Sequence, residues 1–150
     1  MFKKVLVFIV GMAIVLSMVN VGLSADTAAP MNPKVKDMIA SAREAIKMVT
    51  PEAVKTAIES KEKAIFLDVR DGGEFSAGHL PGAMNISRGT LEFNVFGKIP
   101  DQNAKVYVYC KTKARSSLAT KTLNDLGYKN AVLMDASYED WVKAGYPVER

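Results

Sequence analysis

The chain is 150 residues long, with a formal net charge of +4, 49% hydrophobic residues, one Cys and one His. That length suits one domain of ordinary size, and the residue counts exclude a disulfide framework and any multi-Cys or His-rich metal centre. Charged residues of both signs at 24% exclude a disordered chain and leave no basic footprint for nucleic acid.

Residues 1–25 stand apart from the rest. Lys3 and Lys4 precede an unbroken apolar run, Val5 to Leu16, and the small residues Gly22, Ser24 and Ala25 follow. This is the layout of a secretory signal, with cleavage expected after Ala25. The alternative is an uncleaved anchor, because Val5–Leu23 as a helix would span ~28 Å, close to a bilayer core. Both readings export the rest of the chain to a periplasmic location, and only the second ties it to a membrane. No Cys lies near the junction, which excludes a lipid-anchored lipoprotein.

Residues 26–49 read as a tether followed by an amphipathic helix. Asn32-Pro33 supplies an N-cap and a first-turn proline, and Val35, Met38, Ile39, Ala42, Ile46 and Val49 recur at helical spacing. A helix is expected over 33–48. Thr50-Pro51-Glu52 starts a second helix, running to about Ser60, and a strand-type run follows at Ala64–Val69. Ala83–Ile86 is a weak strand, Lys105–Tyr109 a strong one, and Ala131–Met134 another. Between the last two, Leu118, Ala119, Thr122, Leu123 and Leu126 mark a helix over about 112–126, stopped by Gly127; a final helix covers Tyr138–Ala144. Strands that are apolar throughout and alternate with helices imply an α/β domain over 50–150, its mostly parallel sheet covered by helices on both faces.

The chemistry concentrates in one loop. Cys110 follows the strongest strand, and Lys111, Thr112, Lys113, Ala114, Arg115 and Ser116 lead into a helix. Ligands of open parallel sheets bind beyond the carboxyl ends of the strands. A short loop there can turn backbone N–H groups inward as an anion cradle. A thiol in the cradle is stabilised as thiolate by those donors and by the neighbouring Lys and Arg. Cys110 is therefore the expected nucleophile and residues 111–116 the expected substrate cradle. A buried structural Cys is the bland reading, and three basic residues within the next five oppose it.

Several stretches resemble the rhodanese-like sulfurtransferases. Leu67-Asp68-Val69-Arg70, Glu74-Phe75, Gly78-His79-Leu80-Pro81-Gly82-Ala83 and Asn85-Ile86 are similar to that family's first signature. Val108-Tyr109-Cys110 with Arg115-Ser116 resembles its active-site loop. Asp125-Leu126-Gly127-Tyr128 and Trp141 with Ala144-Gly145-Tyr146-Pro147-Val148 resemble its closing segment. The resemblance implies a single rhodanese domain with a central five-stranded sheet, and a Cys110 that accepts a sulfane sulfur as persulfide. The donor would be thiosulfate or a similar small anion, and the acceptor cyanide, a small thiol or a thiol protein. No metal or organic cofactor is implied. Two alternatives keep the reactive thiol: a persulfide carrier with poor turnover, and a redox-sensing module. Related phosphatases and arsenate reductases carry a Cys-x5-Arg loop, whereas only four residues separate Cys110 from Arg115, a smaller cradle better matched to sulfur.

The pattern has two departures. Lys113 stands where the family commonly has Gly; a left-handed backbone there would cost Lys on the order of 1 kcal/mol. Ala136-Ser137 stand where a Gly-Gly pair is usual. Asp68 and Arg70 end a strand beside the expected loop, and either support it through charge-assisted hydrogen bonds or pair with each other. The resemblance places His79 in a structural turn rather than in catalysis, while Trp141 and Tyr138 read as core or rim packing.

Overall fold

The computed structural model describes residues 30–150, so the segment 1–25 and the reading placed on it lie outside the described residues. In chain order the elements are α1 (Pro33–Glu44), β1 (Met48–Val49), α2 (Pro51–Glu59), β2 (Ile65–Asp68), α3 (Gly72–Ala77), β3 (Met84–Asn85), a 3-10 turn (Arg88–Thr90), α4 (Leu91–Lys98), β4 (Val106–Tyr109), α5 (Ala114–Asp125), β5 (Ala131–Met134) and α6 (Tyr138–Lys143). The five strands form one sheet ordered β1-β5-β4-β2-β3, with every neighbouring pair parallel. The expected parallel α/β architecture is the one observed.

Alternation along the strands sorts side chains into two cores. Leu67, Val106, Val108 and Cys110 pack on one face with Leu91 and Val95 of α4 and with Ala119 and Leu123 of α5. Phe66, Tyr107, Tyr109, Val132 and Met134 pack on the other with Val54 and Ala57 of α2 and with Trp141 of α6. Trp141 is fully buried, and its indole N–H donates to the Pro147 carbonyl at 2.9 Å. Both faces of β4 are thus covered, which explains why its sequence is apolar throughout.

The structure corrects the sequence reading at three places. The first helix does not run to residue 48: it stops at Glu44, and Met48–Val49 become the edge strand β1, registered against Leu133 and Met134. The cause lies in the next helix start. Pro51 forces Thr50 into an extended conformation (φ −73°, ψ 157°), and the extension propagates back into the β-favouring Val49. Leu133 and Asp135 then donate to the Lys47 and Val49 carbonyls. The sheet therefore begins ahead of residue 50. Second, α1 packs on α5, yet of the expected stripe only Ala42 and Ile46 are buried, and Val35 and Met38, toward the N-terminal end of α1, face solvent. Third, α4 had no counterpart in the sequence reading. Leu91, Val95 and Ile99 are spaced at i, i+4 and i+8 and are buried, but the exposed Phe93 and Phe96 between them blur the period.

Candidate active site

All strands run the same way, so the loops after β2, β4 and β5 emerge at one edge of the sheet. There Asp68 of β2 is registered with Tyr109 of β4, and Val69 N–H donates to the Tyr109 carbonyl at 3.0 Å. The chain leaves the sheet at Cys110, in the middle of that edge, and re-enters regular structure at Ala114.

The loop between them is held by its own backbone. Lys113 adopts the left-handed conformation (φ 74°, ψ −18°), one of two non-Gly residues among those described with positive φ. Its carbonyl accepts from Ser117 N–H at 2.9 Å and from the Ser116 and Ser117 hydroxyls at 3.1 and 2.8 Å. Three donors on one carbonyl offset the strain that Lys incurs where Gly is usual. Within the loop lies Cys110, fully buried. Ser116 N–H donates to its Sγ at 3.3 Å, and the Ser116 hydroxyl is also 3.3 Å from Sγ. The N–H groups of Lys111, Thr112, Lys113, Ala114 and Arg115 donate to no acceptor among the described residues. Unmet donors at the start of a twelve-residue helix attract an anion.

Around the loop, charges pair in ways that sequence alone left open. Asp68 and Arg70 pair with each other: Arg70 Nε lies 3.0 and 2.9 Å from the two carboxylate oxygens, and Nη2 is 2.6 Å from Oδ2. Both are buried, and Nη2 also donates to the Gly78 carbonyl at 2.6 Å. The Arg70 guanidinium stacks 3.9 Å above the Tyr138 ring, and Tyr138 N–H donates to the Cys110 carbonyl at 3.0 Å. Thus Arg70 reaches the Cys loop through Tyr138 rather than by a direct bond.

Arg115, expected from sequence as part of the substrate cradle, turns its guanidinium to α3 instead. Its fork grips Glu74 of α3 at 2.6 and 2.9 Å, with Asp71 further off at 3.5 Å. The guanidinium holds the Glu74 carboxyl down at about 2, with the Asp71 N–H assisting. Lys111 and Lys113 form only loose, exposed pairs with Glu139 and Asp135, both at 3.7 Å. Where Gly-Gly was usual, Ser137 caps α6 instead. Its hydroxyl accepts from Asp140 N–H, and Asp140 accepts from Ser137 N–H in return. His79 stacks on Phe75 at 3.9 Å and contacts the Phe75 carbonyl at 3.0 Å, a structural position. In front of the loop a cavity of about 260 Å³ is lined by Arg70, Glu74, Gly78, Lys111, Tyr138 and Glu139.

Sequence reasoning missed Glu74 and Tyr138 as parts of the site. A signal for Glu74 existed, since Asp71-x-x-Glu74 reads as a capping box, and the box is present. Nothing in the sequence announced that its carboxylate also reaches Arg115, 41 residues away.

Residues 50–144 match the family described as Rhodanese-like domain. The chain belongs to that family. It is 31% identical over 101 residues to the thiosulfate sulfurtransferase GlpE of Actinobacillus succinogenes, covering 67% of this chain and 88% of that protein. It is 29% identical over 93 residues to a Bacillus subtilis relative named as a sulfur carrier protein, YrkF, covering 62% of this chain. The chain spans about half the length of that relative, 49%. Among solved structures, the polysulfide-sulfur transferase homodimer of Wolinella succinogenes superposes with a TM-score of 0.66 and 28% identity, covering 77% and 87% of the two chains. A Rhodopseudomonas palustris protein of unknown function, whose description offers tyrosine phosphatase as an activity, gives a TM-score of 0.69 at 27% identity, covering 81% and 100%. The rhodanese-like sulfurtransferase fold and family are established for this chain.

Proposed function

We propose that the protein is an exported sulfurtransferase that moves a sulfane sulfur from thiosulfate, or a similar small anion, to cyanide or a thiol through a Cys110 persulfide. The observation that carries this reading is the loop itself: one thiol that receives Ser116 N–H at 3.3 Å, beside five backbone N–H groups without acceptors among the described residues. In the first half-reaction the Cys110 thiolate attacks the outer sulfur of the donor. A new S–S bond forms, the old one breaks, and sulfite leaves with its electron pair. In the second, the acceptor attacks the terminal sulfur, and the S–S pair returns to Cys110 as thiolate. Donor and acceptor between them close the electron balance.

The loop amides are suited to a singly charged persulfide, because backbone donors fixed in place need no reorganisation as charge arrives. Phosphatase chemistry fits less well. Its arginine would have to clasp a tetrahedral oxyanion, and here the Arg115 fork is already occupied by Glu74. A carrier role is the second reading, favoured by the complete burial of Cys110, which would shelter a persulfide from water. Incubation with thiosulfate followed by intact-mass measurement tests the shared step, and cyanide-dependent thiocyanate release separates the two. A one-sulfur gain on Cys110 with rapid thiocyanate release is the expected result. A sulfur adduct without turnover would establish the carrier, and no adduct would end both.

A further inference from the structure

At the sheet edge opposite Cys110, three neighbouring strands are each entered from a lysine. Lys47 precedes β1, Lys129-Asn130 precedes β5 and Lys105 precedes β4. These strands are parallel, so their amino ends share one edge. Register then sorts the side chains. Tyr107 pairs with Val132 and Met48 with Leu133, which sets Lys105 beside Asn130 and Lys47 beside Val132, all on the same face of the sheet. Lys47, Lys105, Lys129, Asn130 and Val132 line a cavity of about 340 Å³ there, the size of a small-ligand site. Five residue steps along β4, ~16 Å, separate Lys105 from Cys110.

Two of the lysines are held in place. Lys105 Nζ lies 2.9 Å from Glu62 and 4.9 Å from the centre of the Tyr107 ring, and Lys129 Nζ donates to the Asn124 carbonyl at 2.7 Å. The Asn130 amide is fixed by the Asn103 carbonyl at 2.8 Å. Lys47 and Lys129 have no ion-pair partner among the described residues, so Glu62 is the one acid set against three cations. Two positive charges are left unmatched around the buried Val132.

We propose that this cavity binds the dianionic phosphate group of a small organic phosphate monoester, with the apolar body of the ester against Val132. Charge sets the valence, because two unmatched cations suit a dianion. Residue type sets the geometry. Ammonium groups are point charges that can surround a tetrahedral oxyanion, whereas the planar fork that best matches a carboxylate belongs to arginine, and none lines this cavity. The site is separate from the Cys110 edge and stands independently of the persulfide reading.

The test is amide NMR of the isotope-labelled protein at low salt, titrated with phenyl phosphate, inorganic phosphate and the dicarboxylate succinate. Phenyl phosphate should shift the amides of Lys47, Lys105, Lys129 and Asn130 and saturate with a Kd of about 1 mM, weakening about tenfold at physiological salt. Inorganic phosphate and succinate should each bind about fivefold more weakly or less tightly still. Lys47→Glu and Lys129→Glu should each weaken phenyl phosphate binding by about tenfold, and Lys47→Arg should keep most of it, all three at the parent melting temperature. Shifts confined to residues 110–116 would place the anion at the Cys loop and overturn the site. Equal affinity for the three probes, or parent-like binding by either Glu variant, would overturn it as well.

Discussion

The Arg115–Glu74 pair allows a quantitative test of how the loop is held. Replacing Glu74 with Gln keeps the shape of the side chain and the α3 cap acceptor, and removes the charge that Arg115 grips from 41 residues away. Arg115 brings the Glu74 carboxyl from an ordinary value of 4.5 to about 2. Taken wholly as pair energy, that depression would amount to about 3 kcal/mol. Both side chains retain close to a third of their exposure, 29% and 31%. Solvent screening therefore brings the expected contribution to about 1–1.5 kcal/mol. Because the folded-state value lies below the unfolded one, this stability is fully present above the ordinary carboxylate range. It is lost as the pH falls from about 4.5 toward about 2.

The assay is urea unfolding of parent, Glu74→Gln, Arg115→Ala and the double variant at neutral pH, repeated for the first two at descending pH. Glu74→Gln should cost about 1–1.5 kcal/mol at neutral pH, with the difference shrinking toward zero at the acid end. The cycle should return a coupling of similar size. In sulfur transfer, both single variants should lose roughly 10-fold in kcat/KM, about 1.4 kcal/mol, by loosening the loop while its amides remain. A pH-independent cost, or no coupling between the two residues, would show that the pair contributes packing alone and refute the reasoning.

Four further outcomes are expected. Cys110→Ser should end sulfur transfer with little change in stability, because one buried atom is exchanged and Ser116 can still donate to the new hydroxyl; thiocyanate production by the variant would contradict this. Asp68→Asn should cost about 3–5 kcal/mol in urea unfolding, since it leaves the buried Arg70 without its counter-charge. Lys113→Gly should stabilise by about 0.5 kcal/mol, relief of left-handed strain exceeding the added chain entropy, and a loss of stability would mean that the added chain entropy outweighs the strain. Expression in a bacterium should yield periplasmic protein beginning near Asp26, checked by N-terminal mass; full-length chain in the inner-membrane fraction would instead establish the anchor.

Much of this was legible in the sequence because the relevant signals are local. The β4 strand, the single thiol and the basic loop lie within twelve consecutive residues, and apolar runs between capped helices suffice to state a parallel sheet. What was not legible depends on distance through space. The edge strand β1 is two residues long and continues the helical stripe of α1, so no period marks it; only pairing with β5 makes it a strand. The Arg115 partner is invisible for the same reason. A capping box explains Glu74 completely as a local device, and its second role appears only when the β2 and β4 loops meet at one edge. Lys113 was readable as a departure, but the compensation at its carbonyl depends on how α5 begins.

These observations share a logic about which changes the site can absorb. The Cys110 thiol is contacted by a backbone N–H and a hydroxyl, both from Ser116, and five further backbone N–H groups beside it have no acceptor among the described residues. The loop side chains Lys111, Lys113 and Arg115 instead turn outward, to Glu139, Asp135 and Glu74. Chemistry and surface are thereby separated along one short segment. In the proposed reaction the backbone would hold the sulfur anion, and the Arg115–Glu74 pair ties the loop to α3 while Lys111 and Lys113 make only loose contacts. Side-chain substitutions in the loop should therefore tune rate and acceptor choice without moving the anion position. A change in the number of residues between Cys110 and Ser116 would move the N–H that now meets Sγ at 3.3 Å. Loop length, more than loop composition, is what this geometry holds constant.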